Sequence, residues 1–431
     1  MDVRVIGAGL AGCEAAWQLA QRGINVELIE MRPQKQSPAH VTGDFAELVC
    51  SNSFRSSELT NAAGLLKEEM RRLGSVIMSC ADQMRIPAGG ALAVDREGFA
   101  ALVTKTISSH PLITITHREV TTIPDGRVII ATGPLTADAL AAELAALLPD
   151  ERMLSFFDAA APIVSFESVD MNSAWFASRY DKGDADYINC PLTKEEYIQF
   201  YTALVSAETA HIHDFEDNRV FEGCLPIEVM AKRGEDTIRY GPLKPVGLPD
   251  PKTSKEAYAV VQLRKDNAEG TLYNLVGFQT RLTFSEQKRV FSLIPALRDA
   301  QFVRFGVMHR NTYLNAPKLL DRYYRLREDT RIGFAGQITG VEGYIESTAS
   351  GLLAGIETAR ELLALPPVDF PKETAIGALA LYCSGGAVSG FQPMNVNFGI
   401  IEPLGVKIKG KRNKNLAISE KSLAVIDAID R

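Results

Sequence analysis

Residues 3–30 read VRVIGAGLAGCEAAWQLAQRGINVELIE, and the fold is decided by this stretch. Val3 to Ile6 is a short apolar run of strand type. A helix reads from about Leu10 to Arg22, Gly23 stands where a C-terminal glycine ends it, and Asn25 to Ile29 makes a second strand. Strand, glycine turn, helix and strand form a βαβ unit, which predicts a parallel sheet. The turn, Gly7-Ala8-Gly9-Leu10-Ala11-Gly12, has the GxGxxG spacing in the one context that gives it meaning. Gly7 allows the tight turn, Gly9 lets the backbone approach a pyrophosphate, and Gly12 lets the helix pack on the sheet. The helix N-terminus then offers free N–H groups and partial positive charge to phosphates. Glu30, closing the second strand, is placed to accept ribose hydroxyls, which favours a non-phosphorylated adenosine ribose. A βα turn without a ligand is the bland alternative.

The chain has 431 residues, enough for two or three domains at about 150 residues each. Lys and Arg total 46 against 53 Asp and Glu, a net charge of −7. An apolar fraction of 46% excludes whole-chain disorder, collagen and coiled coil. No uninterrupted apolar run reaches about 18 residues, so no membrane span is expected. The chain enters a strand without a basic-then-apolar leader, so no signal peptide is expected. Six cysteines, Cys13, Cys50, Cys80, Cys190, Cys224 and Cys383, are too sparse for a disulfide framework. None form CxxC and no His cluster accompanies them, so no metal site is expected and the setting is a reducing cytoplasm. The acidity gives no global sign of nucleic acid but leaves room for a local basic patch.

Further along, residues 33–60 read as a long functional loop. Residues 60–74 look helical and end at Gly74, and Asp95 is placed to cap a helix over Phe99 to Ser108. Short strands lead to Val128–Ile130 and then Ala131-Thr132-Gly133. From about 150 the texture changes to short strands and helices, with a Pro/Gly-rich run from Gly241 to Pro251. Residues 331–364 return to the opening style, with a strand, a turn at Gly336 and a small-residue helix. The expected division is a first part at 1–150, an inserted domain at 151–300, and a second part at 301–431 ending in a basic tail.

Two cysteines stand apart. Cys50 sits in ELVCSNSFR (47–55), a hydroxyl-rich loop in which Arg55 favours a nucleophilic thiolate. Cys224 sits in FEGCLPIE (221–228), between Gly223 and Pro226, with Glu222 and Glu228 as possible proton acceptors. Either could instead be a buried, inert thiol, the common state of a free cysteine. Cys13, Cys80, Cys190 and Cys383 read as packing residues. Tyr344 reads as a stacking residue or a core tyrosine. Lys407, Lys409, Lys411, Arg412 and Lys414 form a basic stretch near the end of the chain, whose bland reading is a solvated face. Arg281, Lys288, Arg289, His309 and Arg310 are weaker candidates for lining a cleft.

The three-part layout, with a fingerprint at Gly7, a strand ending at Gly133 and a third strand–glycine–helix at Gly336, resembles the glutathione-reductase-like flavoproteins. It implies an α/β fold: an FAD-binding Rossmann domain with an inserted α+β domain. Gln337 departs from that pattern, where many members place an Asp. GAGLAG (7–12), LIEMRP (28–33), ELVCSNSFRS (47–56), ALAVDREGF (91–99), FEGCLPIE (221–228) and GFAGQITGVEGYIES (333–347) together resemble the TrmFO family of folate- and FAD-dependent tRNA (uracil-5-)-methyltransferases across essentially the whole chain. The resemblance implies 5-methyluridine formation at position 54 of the tRNA T-loop. The carbon comes from 5,10-methylenetetrahydrofolate and the electrons from reduced FAD, reloaded by NADH or NADPH. It implies Cys224 as the nucleophile on uracil C6 and Cys50 near the flavin, roles that the sequence leaves exchangeable, and it makes Lys407, Lys409, Lys411, Arg412 and Lys414 candidates for contacting tRNA. The runner-up is a GidA/MnmG-like wobble-uridine modifier, whose members carry a long C-terminal helical domain for which this chain has no room after 364, or another NAD(P)H-dependent flavin oxidoreductase.

Overall fold

The computed structural model describes residues 2–37, 39–148, 154–159, 161–181, 184–210, 225–306, 308–385 and 391–429. The elements that position the site begin with β1 (Val3–Ile6), α1 (Leu10–Ala20) and β2 (Val26–Glu30). β3 (Ser53–Ser56), α2 (Ala62–Arg72), α3 (Arg96–Ser108), β4 (Ile113–His117) and β5 (Arg127–Ile130) follow. The middle supplies β6 (Ile163–Ser165), β7 (Trp175–Ala177), β8 (Tyr187–Leu192), α4 (Lys194–Ser206) and α5 (Ile227–Lys232). It continues with β9 (Ala259–Lys265), β10 (Leu272–Leu275), α6 (Phe284–Phe291) and β11 (Phe302–Arg304). The chain returns through β12 (Ile332–Phe334), α7 (Tyr344–Leu362), α8 (Ala375–Ser384) and α9 (Lys411–Ala428).

β1, β2, β5 and β12 are apolar and buried on nearly every residue, as strands covered on both faces must be. They form a five-stranded sheet in the order β12-β5-β1-β2-β4, parallel throughout. Val3 to Ile6 align with Val26 to Ile29 on one side and Arg127 to Ile130 on the other. The three turns that follow therefore gather at one edge of the sheet, where open α/β sheets bind ligands.

The second sheet is antiparallel, six strands in the order β7-β8-β9-β10-β6-β11. Period-two alternation sends Ile188, Cys190, Val261, Leu263 and Leu275 into a second core with α4, α5 and α6. Tyr187, Asn189, Gln262, Arg264 and Asn274 stand on the opposite face. A bulge between Phe302 and Arg304 moves Arg304 to that polar face as well. This sheet closes with β11, just beyond the expected limit at 300.

Helix ends follow local chemistry. Asp95 accepts from the Gly98 N–H at 2.6 Å, the expected cap. Gly23 and Gly74 have φ of +81° and +77°, a conformation glycine adopts without strain. The basic stretch is not a tail: its last residues open α9, whose Ile418, Leu423 and Ile426 are buried. Buried Glu69 ties three helices together, accepting from the N–H groups of Ala375 at 2.7 Å and Ile376 at 2.8 Å on α8 and from the Ser422 hydroxyl on α9.

Gly12 is constrained by the turn itself: a Cβ there would lie 1.8 Å from the Gly7 carbonyl oxygen, whereas a Cβ at Gly9 would meet nothing within 4 Å. Gly12→Ala is expected to cost about 3 kcal/mol, while Gly9→Ala leaves the unfolding midpoint near wild type; thermal denaturation checks both. Burial raises the Glu69 carboxyl from 4.5 to about 7, against its hydrogen bonds to Ser422, Ala375 and Ile376. The stability it contributes is fully present below pH 4.5 and lost as the pH rises through about 7. The midpoint of wild type should therefore fall across that window relative to Glu69→Gln, and parallel profiles would refute this.

Candidate functional site

A cleft of about 1070 Å³, open solvent at its mouth included, runs along the carboxyl edge of the parallel sheet. Gly7, Gly9, Leu10, Ala11, Glu30, Gly133, Gly336 and Tyr344 all line it. Ala8 and Gly12 lie behind them and shape the turn. α1 opens at Gly9 with no side-chain cap and no acidic residue in its first turn, so its positive end faces the cleft. The approach to the Gly9 backbone is open, with nothing within 4 Å of where a Cβ would stand, as a pyrophosphate would require. Gly133, with φ +67° and open space at its Cβ position, lets the wall pass close to a ligand.

At one end of the cleft Glu30 is held from two sides. The Ala8 N–H donates to it at 2.8 Å, and the Arg32 N–H and Nε donate at 3.0 and 3.1 Å. Burial raises the Glu30 carboxyl, but the Arg32 charge and these bonds outweigh it and hold it below the usual range. Arg32 also reaches Glu47 at 3.3 Å, and Glu47 accepts from Val41, Thr42 and the Thr42 hydroxyl. The long loop after β2 is thus pinned by a buried Glu–Arg–Glu chain that the sequence reading missed. LIEMRP holds two of its members; Glu47 is distant in sequence, so only the fold joins them.

At the other end Tyr344, the first residue of α7, meets Cys50. Its hydroxyl oxygen accepts from the Cys50 N–H at 2.9 Å and the Ser51 N–H at 3.2 Å, and lies 3.1 Å from Cys50 Sγ. A phenol has one proton and two acceptor positions. With both acceptor positions taken, the proton points at the sulfur. Burial, and then the Cys50 charge, push the Tyr344 hydroxyl well above its ordinary range, so it stays a donor at neutral pH. Tyr344 is therefore neither a plain core tyrosine nor merely a stacking ring, although its ring also packs on Phe54 at 5.8 Å.

The cation beside Cys50 is not the expected Arg55, whose guanidinium pairs with buried Glu346. Arg96 and Arg264 both interact electrostatically with Cys50. Arg96 is paired with Asp266 at 2.8 and 3.0 Å, and Arg264 donates to Ser51 Oγ at 2.7 Å and Asn52 Oδ1 at 3.1 Å. Gln337 donates at 3.0 Å to both oxygens of Glu342, five residues on, so a carboxylate stands one hydrogen bond away from the side chain at the position where the pattern's Asp is expected.

Cys224 and Glu222 lie outside the described residues, as do the side chains of His309 and Arg310. Beyond Cys224, the Ile227 N–H donates to the Gln279 carbonyl at 2.7 Å, and buried Glu228 accepts from Thr280 at 2.9 Å and Arg281 N–H at 3.1 Å. Glu228 is an anchor for α5 rather than an open proton acceptor. Lys288 and Arg289 sit on α6, across the second core from the polar sheet face, with Arg289 paired to Glu286 at 2.6 Å. Lys407, Lys409, Lys411, Arg412 and Lys414 are all exposed, and none of them lines the cleft. Cys13, Cys80, Cys190 and Cys383 are buried. Among the described residues no group of three or more His, Cys, Asp or Glu is placed to hold a metal.

A family model described as glucose inhibited division protein A matches residues 2–366. The chain is 59% identical over 426 residues to methylenetetrahydrofolate--tRNA-(uracil-5-)-methyltransferase TrmFO of Desulfitobacterium hafniense, covering 99% of this chain and 97% of that one. It is 60% identical over 425 residues to the protein of the same name from Acetivibrio thermocellus, covering 98% and 97%. For that of Bacillus licheniformis the identity is 58% over 429 residues, covering 100% and 99%. Among solved structures, Aquifex aeolicus GidA in its form II crystal superposes with a TM-score of 0.71 at 14% identity, covering 99% of this chain and 73% of that one. That likeness is one of fold.

If the Tyr344 hydroxyl stabilises negative charge on Cys50, Tyr344→Phe should slow iodoacetamide labelling of the Cys50 peptide at neutral pH about tenfold, the worth of one hydrogen bond to a charged group. Peptide mass spectrometry reads it, and an unchanged rate would assign the proton elsewhere.

Proposed function

Because the chain belongs to the TrmFO family, within the wider glucose inhibited division protein A group, we propose that it is a methylenetetrahydrofolate--tRNA-(uracil-5-)-methyltransferase that forms 5-methyluridine at position 54 of the T-loop. The observation that carries this reading is the course of the cleft: it begins at Glu30, passes the open N-terminus of α1, and ends at Tyr344, whose hydroxyl touches Cys50. A dinucleotide cleft that ends on a cysteine suits redox and thiol chemistry in one place.

The residues present fit FAD. Glu30 and Gly133 would hold the adenosine half, Gly7 to Gly12 the pyrophosphate, and Gly336 with Tyr344 the flavin end. When bound and reduced, FAD supplies the electrons that turn the transferred carbon into a methyl group, and NADH or NADPH restores them. The protein's own part is to make uracil reactive. C5 of uracil is a poor nucleophile until a thiolate adds to C6. Cys224 makes that bond, C5 then takes the one-carbon unit, and Cys50 receives the C5 proton before Cys224 leaves. Tyr344, by holding the Cys50 sulfur, prepares it for that proton.

The target uridine has to leave its stack to be reached, and RNA requires positive charge on a protein of net −7. Lys411, Arg412 and Lys414 occupy the first turn of α9, where cations oppose the helix dipole. Residues so placed lower helix stability, which supports a role in binding phosphate together with Lys407 and Lys409. No described helix is long and apolar enough to cross a membrane. A cytoplasmic setting supplies tRNA, folate and the nicotinamide reductant together.

The test gives purified protein methylene-labelled folate, NADPH and an unmodified tRNA transcript, with products mapped by nucleoside mass spectrometry. Label is expected in T-loop 5-methyluridine and absent with Cys224→Ala or Cys50→Ala. NADPH oxidation without labelled tRNA would overturn the assignment, and label at the wobble uridine would move it to the GidA/MnmG-like reading.

A further inference from the structure

Lys67, in the middle of α2, is 0% exposed. Lysine is almost never fully buried unless its charge is paired. The partners of this one are three successive backbone carbonyls. Its Nζ donates to the carbonyls of Phe54 at 2.7 Å and Ser56 at 2.5 Å and, at 3.4 Å, to that of Arg55 between them. An ammonium has three N–H donors, so all three are engaged on one short stretch of β3.

That stretch is not a regular strand. Ser53 pairs with Ala93 but Ser56 with Ala91, one residue too many on β3, and Arg55 has a left-handed φ of +62°. In a regular strand Phe54 and Arg55 would point to opposite faces. Across this bulge both reach α7. The Phe54 ring packs on that of Tyr344 at 5.8 Å, and the Arg55 guanidinium pairs with buried Glu346, two residues further along the helix. Phe99 closes the other side of Phe54, edge to face at 5.5 Å. Three carbonyls turned toward one point repel one another, and a cation between them reverses the sign of that interaction.

We propose that Lys67 is a positioning residue for the pair of Cys50 and Tyr344: its ammonium holds the left-handed bulge at Arg55, and the bulge, through Phe54, sets the Tyr344 ring where its hydroxyl meets the Cys50 sulfur. The use of that geometry in methyl transfer rests on the methyltransferase reading above. The charge is not there to stabilise the core. Burial, and then the Arg55 and Arg71 charges, lower the Lys67 ammonium from 10.5 to about 7, against Glu346 and Asp82. Lys67→Met therefore relieves a disfavoured charge and keeps the apolar stem; what it removes is the hold on three carbonyls.

Iodoacetamide labelling of the Cys50 peptide in the FAD-loaded full-length protein tests this, in Lys67→Met, Tyr344→Phe and the double variant. Lys67→Met should slow labelling about tenfold, as Tyr344→Phe does. The double variant should be no slower than either, because both changes remove the same hydrogen bond. In tRNA methylation kcat should fall about tenfold, with KM for tRNA and folate unchanged. A lysine that merely supports the fold would, once removed, loosen the loop and speed labelling, or would add to Tyr344→Phe; either result overturns the proposal, as does an unchanged rate. If Lys67→Met takes up no FAD, Arg55→Gly against Arg55→Val decides without touching the core. Both delete the guanidinium, but only glycine adopts the left-handed backbone freely. The valine variant should label about tenfold more slowly, and equal rates would overturn the proposal. A wild type that methylates no tRNA would sink the methyltransferase reading, while the labelling rates still decide the role of Lys67.

Discussion

Helices α1 and α7 meet backbone to backbone. A Cβ at Gly351 would lie 2.2 Å from the Ala11 carbonyl oxygen, and one at Gly355 would lie 2.7 Å from that of Ala15. Two helices can meet at this distance only where one of them has no side chain. The contact fixes more than packing. α1 begins at the dinucleotide turn and α7 begins at Tyr344, so holding their bodies together sets their N-termini side by side on one cleft. Gly336, whose Cβ would lie 3.1 Å from the Ala11 side chain, belongs to the same contact. The meeting of Tyr344 with Cys50 is thus a consequence of glycines seven and more residues away.

The second constraint is the seam between the two sheets. The Arg96–Asp266 pair is buried and bidentate, Asp95 Oδ2 accepts from the Ala268 N–H at 2.7 Å, and Asn52 Nδ2 donates to the Lys265 and Val94 carbonyls at 2.9 and 3.0 Å. A buried ion pair adds little net stability, but losing one partner leaves an uncompensated charge. Its effect here is positional. Asp95 and Arg96 stand at the start of α3, and Arg96 also donates to the Leu48 carbonyl, two residues before Cys50. The same few side chains that join the units therefore hold the reactive loop.

The Rossmann half was legible because its signals are local: strand, glycine turn, helix and strand within 28 residues, and a capping Asp95 three residues before the N–H it accepts. The site was legible only in part. Gly12 was rightly singled out, but the carbonyl it accommodates belongs to its own turn and not to the sheet. Arg55 looked like the partner of Cys50 because it is near in sequence, and Glu346, far away in sequence, takes it instead. Arg264 gave no signal at all. In AVVQLRK (259–265) the residues alternate as on any half-solvated strand, and nothing in one sequence separates a face turned to water from one turned to a neighbouring domain. α9 was hidden for a related reason: its basic first turn resembles a disordered tail, and its stability comes from buried Ile418, Leu423 and Ile426 packed on the rest of the chain.

Net charge is a poor guide to such a protein. The total is −7, yet the groups around the reactive loop carry the opposite sign. Arg96, Arg264 and Arg304 are opposed there by Asp266, while Glu47 is already engaged by Arg32. In the low dielectric of a covered seam these charges act more strongly on one another and on any ligand than the many screened carboxylates of the surface. Burial pulls the Arg264 and Arg304 guanidiniums below their usual range; Arg96 adds to the effect on each, while Tyr187 and Asp266 at Arg264, and Tyr344, Glu47 and Asp266 at Arg304, offset part of it. An unpaired buried charge costs more than a paired one, so the pairing of Asp266 with Arg96 decides where on this seam positive charge is left over.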